Sequence, residues 1–395
     1  MRLNHKRNDL HNPAVHSGRK SLRFLLGVAR FVNRNILRSS SFARCIPFRD
    51  SIYRLLTPSL NKEEIAQMPQ SFRCDIVANE VADLLNKGKT EIHFVVLLVE
   101  SLGDIVSCEP ICHYLKKLAP KTRITWVVKP KFADVLAAFP LVDEVLEVES
   151  ISHGLDLCSE LHAKDGSIVV NCHFDNTFCP VSKRILRNPC NPTVNADTYY
   201  AIGNLLETFC LTAGLPRLGE APLLNLGNHW CQELETLPSC FAVFHCHSAD
   251  KTRDWTDDKW NVLAEWMFKR GIPVVEIGYP KTIISSCPSY IDMTGRRSVL
   301  DVASIVQRSC LFVGVDSGFA HFANAFRIPS VILLGRFSVF DQYFPYSGAF
   351  SQSDAFQCVR APKGQFAETI ETDHVETAIQ RLLPTCSTLN QFLAS

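Results

Sequence analysis

The sequence predicts two Rossmann-like, doubly wound α/β domains facing each other across a cleft, and three observations carry the prediction. From residue 91 onward, short apolar runs of strand length alternate with helical patterns. The alternation breaks once, at the proline- and glycine-rich residues 215–228, and then restarts. In each half an apolar run ends in a small polar loop that opens a helical pattern. These loops are Ser101-Leu102-Gly103-Asp104 and Asp316-Ser317-Gly318-Phe319-Ala320-His321. Ligands of open α/β sheets lie outside the carboxyl ends of the strands, which is where such loops sit. The expected organisation is an extension over 1–90, an acceptor-side domain over 91–220 and a nucleotide-sugar-binding domain over 221–395.

In chain order, 92–99 reads as a strand, 106–118 as a helix and 123–128 as a strand. A helix over 132–139, strands over 142–148 and 167–171, and a helix from Asp197 to about residue 213 complete the first half. The irregular stretch between the last two holds Pro180, Pro189 and Pro192. After the linker come a strand over 241–245, a helix over 257–270, a strand over 273–278 and a helix over 299–308. A strand over 311–315, a helix over 318–326, a strand over 330–334 and a closing helix over 373–383 follow. Repeated β–α units of this kind imply parallel sheets with right-handed crossovers.

The chain has 395 residues, 46% hydrophobic and 21% charged, enough for two or three domains with their own cores. Its formal net charge of +1 conceals an asymmetry. Residues 1–50 hold eleven Lys and Arg against Asp9 and Asp50, which leaves an acidic body without a basic stripe. Nucleic acid is therefore excluded as an expected partner. Within 19–38, Leu22, Leu25, Leu26, Ala29, Val32 and Ile36 recur at helical spacing, with arginines largely on the other side. A basic amphipathic helix of this type can rest on an anionic membrane surface or pack on the protein body. No apolar stretch reaches the ~20 residues of a membrane span. The sixteen cysteines include no Cys-x-x-Cys pair and read as reduced, buried thiols in a cytoplasmic protein.

Three segments carry chemistry. Asp104 lies just past a strand beside Gly103, where a carboxylate caps the following helix or accepts a proton from an incoming hydroxyl. Gly318 allows close approach of backbone to a ligand, and the helix start around Ser317 presents N–H groups to a phosphate, with His321 one turn on. In the third segment, residues 245–255, Ser248 can hydrogen-bond a phosphate oxygen and Arg253 can neutralise a diphosphate. His245 and His247 lack a third ligand at usable spacing, so no metal site is expected.

The first segment, with Glu100-Ser101-Leu102-Gly103-Asp104-Ile105 and Phe139-Pro140-Leu141-Val142-Asp143-Glu144-Val145, resembles the amino-terminal domain of glycosyltransferase family 9. This is the ADP-heptose:lipopolysaccharide heptosyltransferase family. Thr294-Gly295 and the run from Val313 through His321 to Ala325 resemble its carboxyl-terminal signature. The resemblance implies a GT-B fold and metal-independent, inverting transfer from a nucleotide diphosphate sugar, with no further cofactor. It implies Asp104 as catalytic base, Ser248 and Arg253 on the diphosphate, and Asp316 at the donor sugar. Ser317, Gly318 and His321 would form the nucleotide-diphosphate cradle.

The sequence departs from the family at three points. Arg253 stands where a lysine is usual, Gly335-Arg336-Phe337 replaces Gly-Pro-Thr, and Tyr279-Pro280-Lys281 lacks an acidic residue at the expected ribose position. The expected function is transfer of a heptose or related sugar, ADP-heptose favoured, to a cell-envelope glycolipid or polysaccharide. The expected location is cytoplasmic, with peripheral attachment to the inner face of the cytoplasmic membrane through residues 19–38. The alternatives are a protein acceptor, or a non-catalytic nucleotide-sugar-binding or scaffold relative.

Overall fold

A computed structural model describes residues 72–382, apart from 189, 197, 228–231, 296, 338–339, 341–342 and 353. The amphipathic stretch 19–38 and the cap expected at Asp197 lie outside these. Helix α1, Ile76–Asn86, falls in the segment assigned to the extension, yet it buries Val77 and Val81 in the core beside the first sheet. Strand β1, Ile92–Leu97, is buried along its whole length, as its unbroken apolar run requires. Helices α2, Leu102–Ser107, and α3, Pro110–Leu118, replace the single helix expected over 106–118. Pro110 has no N–H to continue a helix and is instead favoured at the first position of a new one. Strand β2, Thr122–Val128, a 3-10 helix over Pro130–Ala138 and strand β3, Glu144–Glu147, follow.

Helix α4, Ile151–Asp165, is capped by Ser150, whose side chain accepts from His153 N–H, and ends at Gly166 in the left-handed region. Strand β4, Ile168–Asn171, completes a parallel sheet of order β3-β2-β1-β4. A small antiparallel hairpin, β5 Thr177–Cys179 and β6 Arg184–Leu186, leaves its edge. Helix α5, Leu205–Thr212, starts later than expected because Asn204 and Glu207 form its capping box.

The second half holds β7 Ala242–His245, α6 Asp257–Phe268, β8 Val274–Gly278 and β9 Tyr290–Thr294. It continues through α7 Val299–Arg308, β10 Leu311–Val315, α8 Gly318–Ala325 and β11 Ser330–Leu334. Helix α9 Ala349–Gln352, strand β12 Phe356–Arg360 and helix α10 Thr372–Leu382 close it. Its six strands are parallel in the order β12-β11-β10-β7-β8-β9.

Both orders reverse beside the first strand of their sheet, between β1 and β4 and between β7 and β10. At such a switch point neighbouring loops part to opposite sides and leave a crevice. The described part of the linker is strapped to both halves. Leu223 N–H donates to Glu109 Oε2 at 2.8 Å, Asn225 N–H to the Ala138 carbonyl at 2.8 Å, and Gly348 N–H to the Gly219 carbonyl at 2.9 Å. The described cysteines are reduced thiols, eight of the thirteen buried and five, Cys74, Cys190, Cys287, Cys310 and Cys358, only partly so.

Candidate active site

The loops after β1, β7 and β10 meet at the two switch points and line one cavity of about 760 Å³. All seven residues singled out from the sequence are on its wall: Asp104, Ser248, Arg253, Asp316, Ser317, Gly318 and His321. Two helix starts touch across it. A Cβ on Gly103 would stand 3.0 Å from His321 Cδ2 and 3.3 Å from Gly318 Cα, and one on Gly318 would stand 3.1 Å from Leu102. Glycine at both positions is what lets α2 and α8 approach this closely.

Asp104 is at once the third residue of α2 and a wall of the cavity. Its Oδ2 accepts from Ser101 N–H at 3.1 Å and from Ser101 Oγ at 3.2 Å. Burial nevertheless pushes its carboxyl up to about 6, against the pull of those Ser101 bonds and of Arg253. A carboxylate poised near neutrality is suited to accept a proton.

His321 is buried against Tyr346, their rings 4.7 Å apart, and burial lowers it to about 4, so it is neutral at physiological pH. His245, also lowered to about 4 by burial, contacts Ser317 Oγ through Nδ1 at 2.9 Å. His247 is held on both sides, Nδ1 to Asp254 at 2.8 Å and Nε2 to Thr282 Oγ1 at 2.7 Å. Among the described residues no group of histidine, cysteine and carboxylate side chains is arranged to hold a metal ion.

Asp316 is 3% exposed and both oxygens of its carboxylate are engaged. Oδ2 accepts from Arg253 Nη1 at 2.8 Å and from Tyr343 OH at 2.7 Å, and Oδ1 accepts from Tyr346 OH at 2.7 Å. Burial works against the Arg253 charge, but Asp316 more than restores it and the guanidinium stays cationic. Ser248 is similarly engaged, its Oγ donating to the Asp250 carbonyl at 2.7 Å and its N–H to Asp254 Oδ1 at 2.7 Å. The polar atoms expected to meet the donor sugar and the diphosphate are thus spent, in these two residues, on shaping the loops.

Residues 228–348 match the family model of glycosyltransferase family 9 (heptosyltransferase). The match lies within the second half of the chain. Solved structures extend the likeness to both halves. A family 9 glycosyl transferase from Veillonella parvula aligns at 19% identity over 74% of this chain and 97% of its own, with a TM-score of 0.57. The ADP-heptose LPS heptosyltransferase II of E. coli aligns at 16% over 74% and 99%, with a TM-score of 0.55. The E. coli heptosyltransferase WaaC, solved with ADP, aligns at 16% over 75% and 100%, with a TM-score of 0.52. At such identities the likeness is one of fold, and it is the GT-B arrangement of two facing parallel sheets. No curated relative matches the sequence. Family and fold together make the chain a nucleotide-sugar glycosyltransferase.

Sequence reasoning missed much of this glycosyltransferase's cavity wall. Phe132, Phe174, Tyr199 and Tyr200 line its first-sheet side with Lys131, and Arg297 stands on the second-sheet side. Phe174 stacks on Tyr199 at 4.4 Å, and Tyr199 lies 4.0 Å from Tyr200.

Proposed function

We propose that this enzyme transfers a heptose or a related sugar, with inversion, from a nucleoside diphosphate sugar to a hydroxyl of a cell-envelope glycolipid or polysaccharide, ADP-heptose being the favoured donor. The observation that carries the reading is a carboxyl raised to about 6, Asp104, in one cavity with the start of α8 and the Arg253 cation. Asp104 takes the proton of the acceptor hydroxyl as its oxygen attacks the anomeric carbon. The bond from that carbon to the diphosphate oxygen breaks with its electron pair, and the nucleoside diphosphate leaves. Arg253 and the backbone N–H groups of Ser317 and Gly318 meet the charge that builds on the departing group. Neutral His321 packs against this cradle without adding charge. No metal or further cofactor is invoked, the cation and helix terminus supplying the electrostatics. The reaction is assigned to the cytoplasmic face of a membrane, with residues 19–38 as the element that holds the enzyme there.

The test is nucleotide release from ADP-heptose and a panel of other nucleotide sugars, with an envelope extract as acceptor. Wild type is expected to turn over, with kcat/KM rising through about pH 6 as Asp104 ionises and levelling above it. Asp104→Ala is expected to bind donor and not turn over. Donor binding by both proteins with turnover by neither, across the whole panel, would favour the non-catalytic relative.

A further inference from the structure

Two of the sequence departures meet in space. The Arg253 guanidinium carbon stands 4.0 Å from the centroid of the Phe337 ring. Phe337 is itself fixed, its ring edge-on to Tyr200 at 5.2 Å and 5.3 Å from Tyr343. On its other side Arg253 is tethered to Asp316, which the hydroxyls of Tyr343 and Tyr346 hold in turn. The guanidinium is therefore stacked on an aromatic face and anchored at one nitrogen. Its Nε is buried and has no hydrogen-bond partner among the described residues. Arg253, in the loop after β7, lies at the switch point of the second sheet and faces the cavity, while Phe337 reaches it from the loop after β11.

We infer that Phe337 is a positioning residue for Arg253, fixing it as a stacked arginine for the diphosphate of the donor, and that this makes arginine obligatory at position 253. A lysine ammonium is a point charge on a flexible stem and has no plane to stack or second nitrogen to present. An arginine clamped by a ring and a buried carboxylate keeps its remaining N–H groups aimed at one place, which suits a diphosphate with several oxygens. The Asp316 carboxylate, with both oxygens occupied, orients the cation rather than binding sugar. The inference rests on the proposed reading of the cavity as a donor site.

The experiment compares wild type, Phe337→Leu, Phe337→Trp, Arg253→Lys and the Arg253→Lys/Phe337→Leu double variant. It measures binding of ADP and of inorganic pyrophosphate by calorimetry, and donor and acceptor KM where turnover occurs. Phe337→Leu is expected to weaken ADP and pyrophosphate binding about tenfold, the order expected for losing a partly desolvated cation–π contact. Donor KM should rise alike while acceptor KM stays unchanged, and Phe337→Trp should retain binding. Arg253→Lys should cost more in wild type than in the Phe337→Leu background, since the ring has nothing left to position there. Equal costs in both backgrounds, or a Phe337→Leu protein that is folded and binds both ligands like wild type, overturn the inference. If wild type binds ADP without turning over any donor and the coupling persists, positioning stands and the catalytic reading falls. Absence of ADP and pyrophosphate binding by wild type overturns both.

Discussion

Asp104→Asn should make the enzyme more stable and nearly inactive, and the two effects share one cause. Asparagine is close in shape and retains an oxygen to accept from Ser101 N–H, which donates to Asp104 at 3.1 Å. What it removes is a charge in a poorly solvated place. The carboxyl is raised from 3.8 to about 6, so ionising it in the folded protein costs about 3 kcal/mol more than in the unfolded chain. The side chain borders an open cavity, and solvent screening reduces this to about 1.5 kcal/mol. The sign follows from linkage. A native carboxyl above its unfolded value binds more protons than the unfolded chain between about pH 4 and pH 6, so wild type loses stability as pH rises through that window. The asparagine variant should therefore match wild type near pH 4 and exceed it by a constant margin above pH 7, about 3 °C in Tm. Removing a general base should lower kcat by about 100-fold or more at pH 8. Thermal melts at pH 4 and pH 8, paired with donor turnover, test both. A Tm gain equal at the two pH values would refute the burial argument. Wild-type turnover by the variant would refute the role as base.

Two further outcomes are expected. Gly103→Ala places a methyl 3.0 Å from His321 Cδ2 and 3.3 Å from Gly318 Cα, so α2 and α8 must part. The expected cost is about 1 kcal/mol of stability but tenfold or more in kcat/KM, because misplacement, not unfolding, is the lesion; a variant with melts and kinetics both unchanged would show that the contact is not needed. Deleting residues 1–50 should abolish co-sedimentation with phosphatidylglycerol vesicles while leaving turnover of a soluble acceptor intact, and equal sedimentation of both proteins would remove the membrane role assigned to residues 19–38.

The residues that could be read from the sequence are those whose neighbours in the chain determine their place. Each strand that ends in a polar loop before a helix projects that loop from the carboxyl edge, so Asp104, Arg253 and Ser317 were legible from local pattern alone. The two edge strands of the second sheet were not. Strand β9 is only partly buried, and β12, on the other edge, has a single buried residue, so neither presents the apolar run that marked β1 and β10. In the aromatic wall, Phe174 lies in irregular chain with no period to read, while Tyr199 and Tyr200 fall inside the helix expected from Asp197, where the structure has a short 3-10 turn ahead of α5. The engagement of Asp316 was hidden for a different reason. Its partners Tyr343 and Tyr346 lie 27 and 30 residues further on, beyond helix α8 and strand β11, and only the fold brings them back.

Two local readings of Asp104, helix cap and proton acceptor, looked like alternatives in the sequence, and under the proposed mechanism they are one arrangement. Both Ser101 hydrogen bonds fall on Oδ2. They fix the rotamer of the carboxyl and direct it with respect to the cavity, as a cap does in any helix. Yet they are too few to hold its pKa down, because burial outweighs them. A carboxylate capped by more N–H groups would be better for the helix and too weak a base to take a proton. A carboxyl with no cap would be basic but unaimed, and misalignment costs rate as surely as a wrong pKa. The half-satisfied capping box therefore gives Asp104 direction and basicity together. The same division recurs opposite it, where Asp316 holds Arg253 by one nitrogen and leaves the rest of the guanidinium for the anion.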